Sequence, residues 1–173
     1  ELYNTTSLVN RTTSATSPNS VNITSLADGI YYFNATATDT SNNRNSTATR
    51  TVTVDTTRPL ISYSSDTEAN NSVVFGSIYL NATVTEINFA NITFGLFNST
   101  GAVNVTTYNT QVYNINFTGL SAGTYFANIS IVDLANNLNN TQTRTYVYID
   151  SCLNSSNSCT EGSSCNVTSA CLL

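Results

Sequence analysis

The chain has 173 residues, enough for one or two domains, and 40% of them are apolar, which suffices for a hydrophobic core. Only 9% are charged, and the net charge of −5 leaves no basic surface to neutralise phosphates, which argues against nucleic acid as a partner. Histidine is absent and every basic residue is an arginine, so neither a Ser-His-Asp nor a Ser-Lys arrangement can be built, and we expect no enzyme. No apolar run approaches the 18 residues of a transmembrane helix, so we predict no membrane span in this segment.

Alternation of apolar and polar residues predicts β-strands along the whole chain, and no segment shows helical periodicity. In residues 1–58 this alternation runs through Val21 and Ile23 and then through Tyr31, Phe33 and Ala35. Because successive side chains of a strand point to opposite faces, we expect these residues to share an inward face. We interpret residues 1–58 as the last four strands of a partial domain.

Residues 59–150 predict a complete domain of seven short antiparallel strands, which begin with 61–64 and end with 143–149. The inward residues of the five strands between them are expected to be Ile78, Leu80, Ala82 and Val84; Ile92, Phe94 and Leu96; Val103 and Val105; Tyr113, Ile115 and Phe117; and Tyr125, Ala127, Ile129 and Ile131. Seven such strands with regularly spaced turns are typical of an immunoglobulin-like (Ig-like) sandwich. The predicted fold class is therefore all-β: tandem Ig-like antiparallel β-sandwiches, the first incomplete, followed by a short disulfide-rich tail at 151–173.

The two domains repeat each other at an offset of 94 residues. The register holds without a gap for Leu2 and Leu96, Gly29 and Gly123, Asn34 and Asn128, Asp39 and Asp133, and Arg50 and Arg144. Tyr31 and Tyr125 each follow the pattern Leu-x-x-Gly-x just before the sixth strand. This position predicts a tyrosine corner, in which the hydroxyl group bonds to upstream backbone.

The first copy lacks the equivalent of residues 60–95, which contains three strands and most of one sheet. A half-sandwich would leave Tyr31, Phe33 and Ala35 uncovered and would expose open strand edges. The missing strands could come from upstream in a longer repeated polypeptide, or a neighbouring subunit could supply them by donor-strand complementation. We expect either source to complete a full sandwich.

The segment GIYYFNATATDTSNNRNSTATRTVTVDTTRP resembles the closing half of the tandem Ig-like repeats of prokaryotic cell-surface and filament proteins. The shared pattern is a G-x-Y-x-F/A-x-A strand, a D-x-x-(G/N)-N hairpin and a D-T-x-x-P linker, and it covers nearly all of the chain before the tail. This chain has Asn42 and Asn136 where the family usually has glycine, and asparagine also tolerates positive φ. The resemblance implies a stalk, filament or coat module at the cell surface.

The sequence contains fifteen N-glycosylation sequons of the form Asn-x-Ser/Thr. With 26 Asn and 52 Ser plus Thr in the chain, about eight sequons would be expected by chance. The fifteen lie at Asn4, Asn10, Asn22, Asn34, Asn45, Asn70, Asn81, Asn91, Asn98, Asn104, Asn116, Asn128, Asn139, Asn154 and Asn166. Among the thirteen sequons before the tail, seven have an apolar middle residue, namely Ile23, Ala35, Ala82, Ile92, Val105, Phe117 and Ile129. In a strand, this phase places the middle residue in the core and the asparagine on the solvent face, where a glycan can be attached. We therefore predict an extracellular, cell-surface protein that carries covalent N-linked glycans.

Most sequons lack an acidic residue two positions upstream, with Glu68 before Asn70 as an exception. The common bacterial glycosylation system prefers such a residue. Together with the prokaryotic resemblance, its absence indicates an archaeal cell surface.

The four cysteines Cys152, Cys159, Cys165 and Cys171 all lie in the tail. Their even number in an extracellular context predicts disulfides, because metal-site spacing of the CxxC type is absent. Three pairings are open, and the sequence does not choose between them.

Two further features concern ligands and function. Oxygen ligands from Asp55 or Asp150 could bind calcium at the ends of the domains, although dense acidic clusters are absent and solvated carboxylates are the simpler interpretation. Four aromatic residues are expected to face outward: Tyr32, Tyr79, Phe97 and Phe126. The leading hypothesis is a structural, glycosylated subunit that polymerises with copies of itself. The alternative is an adhesin that binds sugars with these rings.

Overall fold

The computed structural model describes residues 1–16 and 20–149. The chain divides into two compact units, Glu1–Thr57 and Arg58–Leu173. The regular structure of the described residues is entirely β, as predicted, and none of their elements is a helix suited to crossing a membrane. The four tail cysteines, the sequons at Asn154 and Asn166, and Asp150 lie outside the described residues.

Unit 2 contains nine described strands in two sheets. They are β7 (Leu60–Tyr63), β8 (Ser72–Phe75), β9 (Ile78–Thr85), β10 (Phe89–Asn98), β11 (Gly101–Tyr108), β12 (Asn114–Phe117), β13 (Gly123–Asp133), β14 (Leu138–Asn140) and β15 (Arg144–Ile149). The larger sheet has the order β11-β10-β13-β15-β8, with β14 also paired to β13, and the smaller has the order β12-β9-β7. All pairs are antiparallel except β15 with β8.

The core of unit 2 lies between these two sheets, and alternation along the strands explains which residues fill it. Ile78 and Leu80 come from β9, and Phe94, Ile129 and Tyr146 come from the larger sheet; all are buried in one cluster. The inward residues predicted for the second, third and sixth strands are therefore correct, apart from a half-buried Val84. Burying a large apolar side chain stabilises the fold by about 1.5–3 kcal/mol, so this cluster is the main source of stability in unit 2.

Two strands of unit 2 were missed by the sequence prediction of seven. β8 is a four-residue edge strand that pairs parallel with β15, and its Val73 and Val74 give too short an alternation to recognise. β14 is Leu-Asn-Asn, a sequence with low β-propensity that forms a strand because the hairpin after Asp133 brings it beside β13.

The prediction that Val105 faces the core is wrong, since its side chain is 54% exposed. Asn104 pairs with the buried Leu96, so Asn104 and not Val105 lies on the inner side of edge strand β11. The smaller sheet has only three strands, and β11 is at the edge of the larger sheet. Alternation of apolar residues in β11 is therefore not a reliable sign of burial.

The described residues of unit 1 form six short strands rather than the four predicted. They are β1 (Leu2–Tyr3), β2 (Leu8–Asn10), β3 (Gly29–Phe33), β4 (Thr36–Thr38), β5 (Arg44–Ser46) and β6 (Arg50–Val54). Four of them form a sheet in the order β2-β1-β3-β6, and β4 and β5 form a separate hairpin. This sheet matches the β11-β10-β13-β15 part of unit 2, strand for strand, at the 94-residue offset.

The segment around Val21 and Ile23 forms no strand, although it aligns with β12 of unit 2. In unit 2 the four residues of β12 pair with β9, and unit 1 has no described counterpart of β9. Without that neighbour the backbone groups of this segment have no ladder to join. The alternating sequence alone is not sufficient for a strand.

Candidate functional site

The two units repeat each other in hydrogen bonding as well as in sequence. The Tyr31 hydroxyl donates to the Ala27 carbonyl at 2.9 Å, and the Tyr125 hydroxyl donates to the Ser121 carbonyl at 2.9 Å. These are the bonds that the predicted tyrosine corners require. They fix the start of β3 and of β13, so the following residues reach equivalent positions in both units.

The hairpins after β4 and β13 are also equivalent. Asp39 accepts hydrogen bonds from Ser41 and Asn43, and Asp133 accepts them from Ala135 and Asn137. The Asn43 side-chain amide, which donates to Asp39, is the main reason why the pKa of Asp39 lies below its usual value.

Each of these hairpins turns through an asparagine with positive φ, Asn42 at 67° and Asn136 at 66°. The turn therefore tolerates asparagine where the related repeats usually have glycine. The Asp39 and Asp133 carboxylates therefore stabilise equivalent turns in the two units.

Part of one face of the unit 1 sheet is exposed where the same face of unit 2 is buried. We call this part the open face and define it by Phe33, Ala35, Val52 and Val54; Leu2 and Tyr31 point to the same side but are buried, at 4% and 6%. Phe33 is 40% exposed and Val52 is 41% exposed. The residues at the same repeat positions in unit 2, Ala127 and Tyr146, are fully buried beneath the smaller sheet.

The sequence predicted that Tyr31, Phe33 and Ala35 would be uncovered in the incomplete domain. Phe33 and Ala35 are exposed, but the expectation for Tyr31 is wrong, since it is only 6% exposed. A β-sheet with one uncovered apolar face is a feature of interaction surfaces. No sequon asparagine lies in β1, β3 or β6, three of the four strands of this sheet.

Arg50 and Arg144 occupy the same repeat position and differ in their partners. The Arg144 guanidinium donates to the Thr67 carbonyl at 3.0 Å and to the Glu68 carbonyl, and it stacks over the Tyr63 ring at 4.0 Å. These contacts hold the loop after β7 against the larger sheet. Among the described residues, the exposed Arg50 guanidinium has neither a hydrogen bond nor an ion pair.

The thirteen sequon asparagines in the described part of the chain are all at least partly accessible. The nitrogen that carries a glycan, Nδ2, donates a hydrogen bond to the protein in only two of them within this part: Asn81 to the Asp66 carboxylate and Asn139 to the Pro59 carbonyl, at 2.8 Å in the latter case. At four sequons the hydroxyl of the third residue donates to the asparagine Oδ1, and these are the repeat pairs Asn4 and Asn98, and Asn10 and Asn104.

The outward aromatic residues form cross-strand pairs at equivalent positions. Phe97 pairs with Phe126 in unit 2, and Tyr3 pairs with Tyr32 in unit 1. Tyr3 was not predicted among the outward-facing aromatic residues, although its 94-residue offset from Phe97 was a sufficient signal. Tyr79, half-buried on β9, pairs instead with the sequon residue Asn116.

The carboxylates at the end of unit 1 are engaged in local hydrogen bonds. Asp55 accepts from the Thr57 amide at 3.0 Å, and Asp28 accepts from both Thr56 and Thr57. The Thr57 hydroxyl is the main cause of the lowered pKa of Asp28. Calcium binding by Asp55 stays a prediction.

The strand order, the two facing sheets and the core define unit 2 as an Ig-like β-sandwich. The chain is similar to fibronectin(III)-like modules of Clostridium thermocellum CbhA, with 15% identity and a TM-score of 0.42, over 52% of this chain and 96% of that one. It is also similar to dimeric latent PorU from Porphyromonas gingivalis, with 15% identity and a TM-score of 0.41, over 75% of this chain and 13% of that one. No family model matches the sequence, and no curated protein matches it.

Proposed function

We propose that the protein is a structural, heavily N-glycosylated subunit of an extracellular filament or surface layer, at the surface of an archaeal cell. The observation that carries this proposal is the open face of unit 1. Its Phe33 and Val52 are exposed, whereas the equivalent face of unit 2 is covered by β12, β9 and β7. A surface of this kind can be completed by another sheet, and a subunit completed by its neighbour polymerises.

The partner layer must match two features of the open face. Large aliphatic side chains, such as Ile78 and Leu80 of β9, would fill the space above Phe33 and Val52. Backbone carbonyl groups and an aromatic ring, such as those that contact Arg144, would satisfy Arg50. The layer β12-β9-β7 has both features but already covers unit 2 of its own copy. We therefore propose that a neighbouring copy of the chain covers the open face with another surface of this kind.

Glycans would direct this assembly by restricting other contacts. Sequons lie on both faces of unit 2, with Asn91 and Asn128 on the outer side of the larger sheet and Asn81 and Asn116 on the outer side of the smaller one. Bulky sugars there hinder association side by side. The sugar-free centre of the open face favours contacts from end to end.

A second function, a glycan-binding adhesin module, is favoured by one specific observation. The pair Phe97 and Phe126 presents two partly exposed rings side by side on the outer face of unit 2. Aromatic faces of this kind bind the apolar faces of sugars. Binding to a glycan array that is lost in Phe126→Ala, with the fold intact, would support this function over the structural one.

The proposed function is tested by electron microscopy of the purified native protein together with its intact mass. We expect fibres or ordered arrays, and a mass that exceeds that of the polypeptide by several glycans. A dispersed monomer at high protein concentration would refute the filament, and an unmodified mass would refute glycosylation. The two results are independent, so either part of the proposal can fail alone.

A further inference from the structure

One sequon asparagine of unit 2, Asn128, lies beside an aromatic ring and opposite a glycine, Gly95. We call the space that a side chain at position 95 would occupy the glycine cradle. Asn128 of β13 is directly opposite Gly95 of β10, on the outer face of the larger sheet. The next pair on that same face is Phe97 with Phe126. Gly95 is buried although it is on this outer face, because the Phe97 ring folds back over it.

The space above Gly95 is shared by the ring and the sequon amide. A Cβ atom added at Gly95 would lie 2.6 Å from Phe97 Cε2 and 3.0 Å from Asn128 Oδ1. Both groups therefore approach the same point, and any larger residue at position 95 would displace one of them. The glycine therefore leaves room for the Phe97 ring beside the Asn128 amide.

The Asn128 amide nitrogen donates no hydrogen bond within the part of the chain that the structure describes. Among the described residues, the sequons that donate a hydrogen bond from Nδ2 are Asn81 and Asn139, so Asn128 Nδ2 can accept a substituent without loss of an internal bond. A pyranose attached there leaves the sheet alongside Phe97. The partly positive C–H groups on one face of a pyranose are attracted to the negative face of an aromatic ring.

We infer that Asn128 carries a glycan whose first pyranose stacks on Phe97, so that the sugar and the ring cover Gly95 together and stabilise unit 2. The inference rests on the proposed glycosylation. Attachment forms a bond between Asn128 Nδ2 and the anomeric carbon of a lipid-linked oligosaccharide. The bond from that carbon to the phosphate oxygen breaks, the lipid phosphate leaves with the electron pair, and Nδ2 loses one proton.

The equivalent position in unit 1 is built differently and provides an internal comparison. Asn34 lies where Asn128 does, but Glu1 replaces Gly95, and its carboxylate accepts the hydroxyl of Tyr3, the residue equivalent to Phe97, at 2.7 Å. The Asn34 Oδ1 atom is buried without a hydrogen-bond partner. The open glycine cradle is therefore a property of unit 2.

A double-mutant cycle on the full chain, produced in a glycosylating host, tests the inference. Ser130→Ala removes the sequon while it keeps Asn128, and Phe97→Leu removes the ring while it keeps an apolar cover on Gly95. Phe97→Leu should increase the equilibrium constant for unfolding in both backgrounds. The increase should be about fivefold larger with the glycan present than in the Ser130→Ala background, which corresponds to the free energy of one aromatic contact. Phe97→Tyr should behave like the wild type.

Asn104→Gln is the matched control, because Asn104 pairs with Leu96 and lies on the opposite side of the same sheet. Its effect should add to that of Phe97→Leu without coupling. A second readout is the NMR spectrum of the first sugar, whose ring protons should be shifted upfield by Phe97 and should return to normal in Phe97→Leu.

The outcomes separate the inference from the proposed function. Coupling together with upfield shifts supports the inference. An occupied Asn128 with purely additive effects overturns it and leaves the glycoprotein proposal intact, and so does an unmodified Asn128 in a chain that is glycosylated elsewhere. A chain without any glycan overturns both.

Discussion

Phe33→Asp is expected to abolish assembly of the protein while unit 2 stays folded. Phe33 is 40% exposed in the isolated chain, so the substitution costs little there. In the assembly it would place a carboxylate between two apolar layers without a partner, and an uncompensated buried charge costs about 3–5 kcal/mol. Sedimentation velocity should show association weakened by more than about a hundredfold.

Ile30→Asp is the matched control for this experiment. Ile30 lies in the same strand, is exposed to a similar extent at 45%, and points to the opposite side of the sheet from Phe33. It should assemble like the wild type. Normal assembly of Phe33→Asp, or equal loss in both variants, would show that the open face is not the assembly surface.

Arg144 and Arg50 occupy the same repeat position, but we expect substitution of Arg144 to lower stability and substitution of Arg50 to weaken assembly. Arg144→Met removes hydrogen bonds to Thr67 and Glu68, and bonds that involve a charged group contribute about 1.5–3 kcal/mol. We therefore expect the urea midpoint of unit 2 to fall with an unchanged m-value. Tyrosine fluorescence is a suitable probe because the chain has no tryptophan.

Arg50→Met should leave the stability of the dissociated protein within about 0.5 kcal/mol of the wild type, as for other exposed substitutions. Its effect should appear in assembly, where the guanidinium loses the carbonyl groups that we propose for the partner layer. We expect about tenfold weaker association, measured by sedimentation. An effect of Arg50→Met on the dissociated protein but not on assembly would contradict the proposed role.

Burial was predicted correctly from apolar alternation in strands that face a second sheet within unit 2. It was predicted less well in strands that do not face one. Phe94, Ile129 and Ile131 alternate strictly and are fully buried, because both sheets of unit 2 are present. Val105 alternates as well, but it pairs with Gly95 on the outer side of β11, so the face predicted for it is wrong. Alternation groups side chains on a common face, but it does not say which face of an edge strand is the inner one.

The candidate site shows the same limit. Alternation placed Tyr31 and Phe33 on a common face and predicted that both would be uncovered, but Tyr31 is buried and Phe33 is exposed. Burial at each position depends on packing that the alternation of β3 does not contain. The cradle at Gly95 was also missed, since the pairing of Gly95 with Asn128 depends on the register between two strands. Local pattern predicts strands, whereas register and partners are properties of the assembled sheets.

Amide hydrogen exchange, read by mass spectrometry, is the most direct test of the central claim that unit 1 is completed by a neighbouring copy. It compares the assembled wild type with the dissociated Phe33→Asp variant. Amides of β9, β10 and β13 should exchange slowly in both states, because unit 2 has its own core. Amides of β3 and β6 should exchange quickly in the dissociated protein and slowly in the assembly. Slow exchange through both units of the dissociated protein, or fast exchange of β3 and β6 in the assembly, would contradict the account.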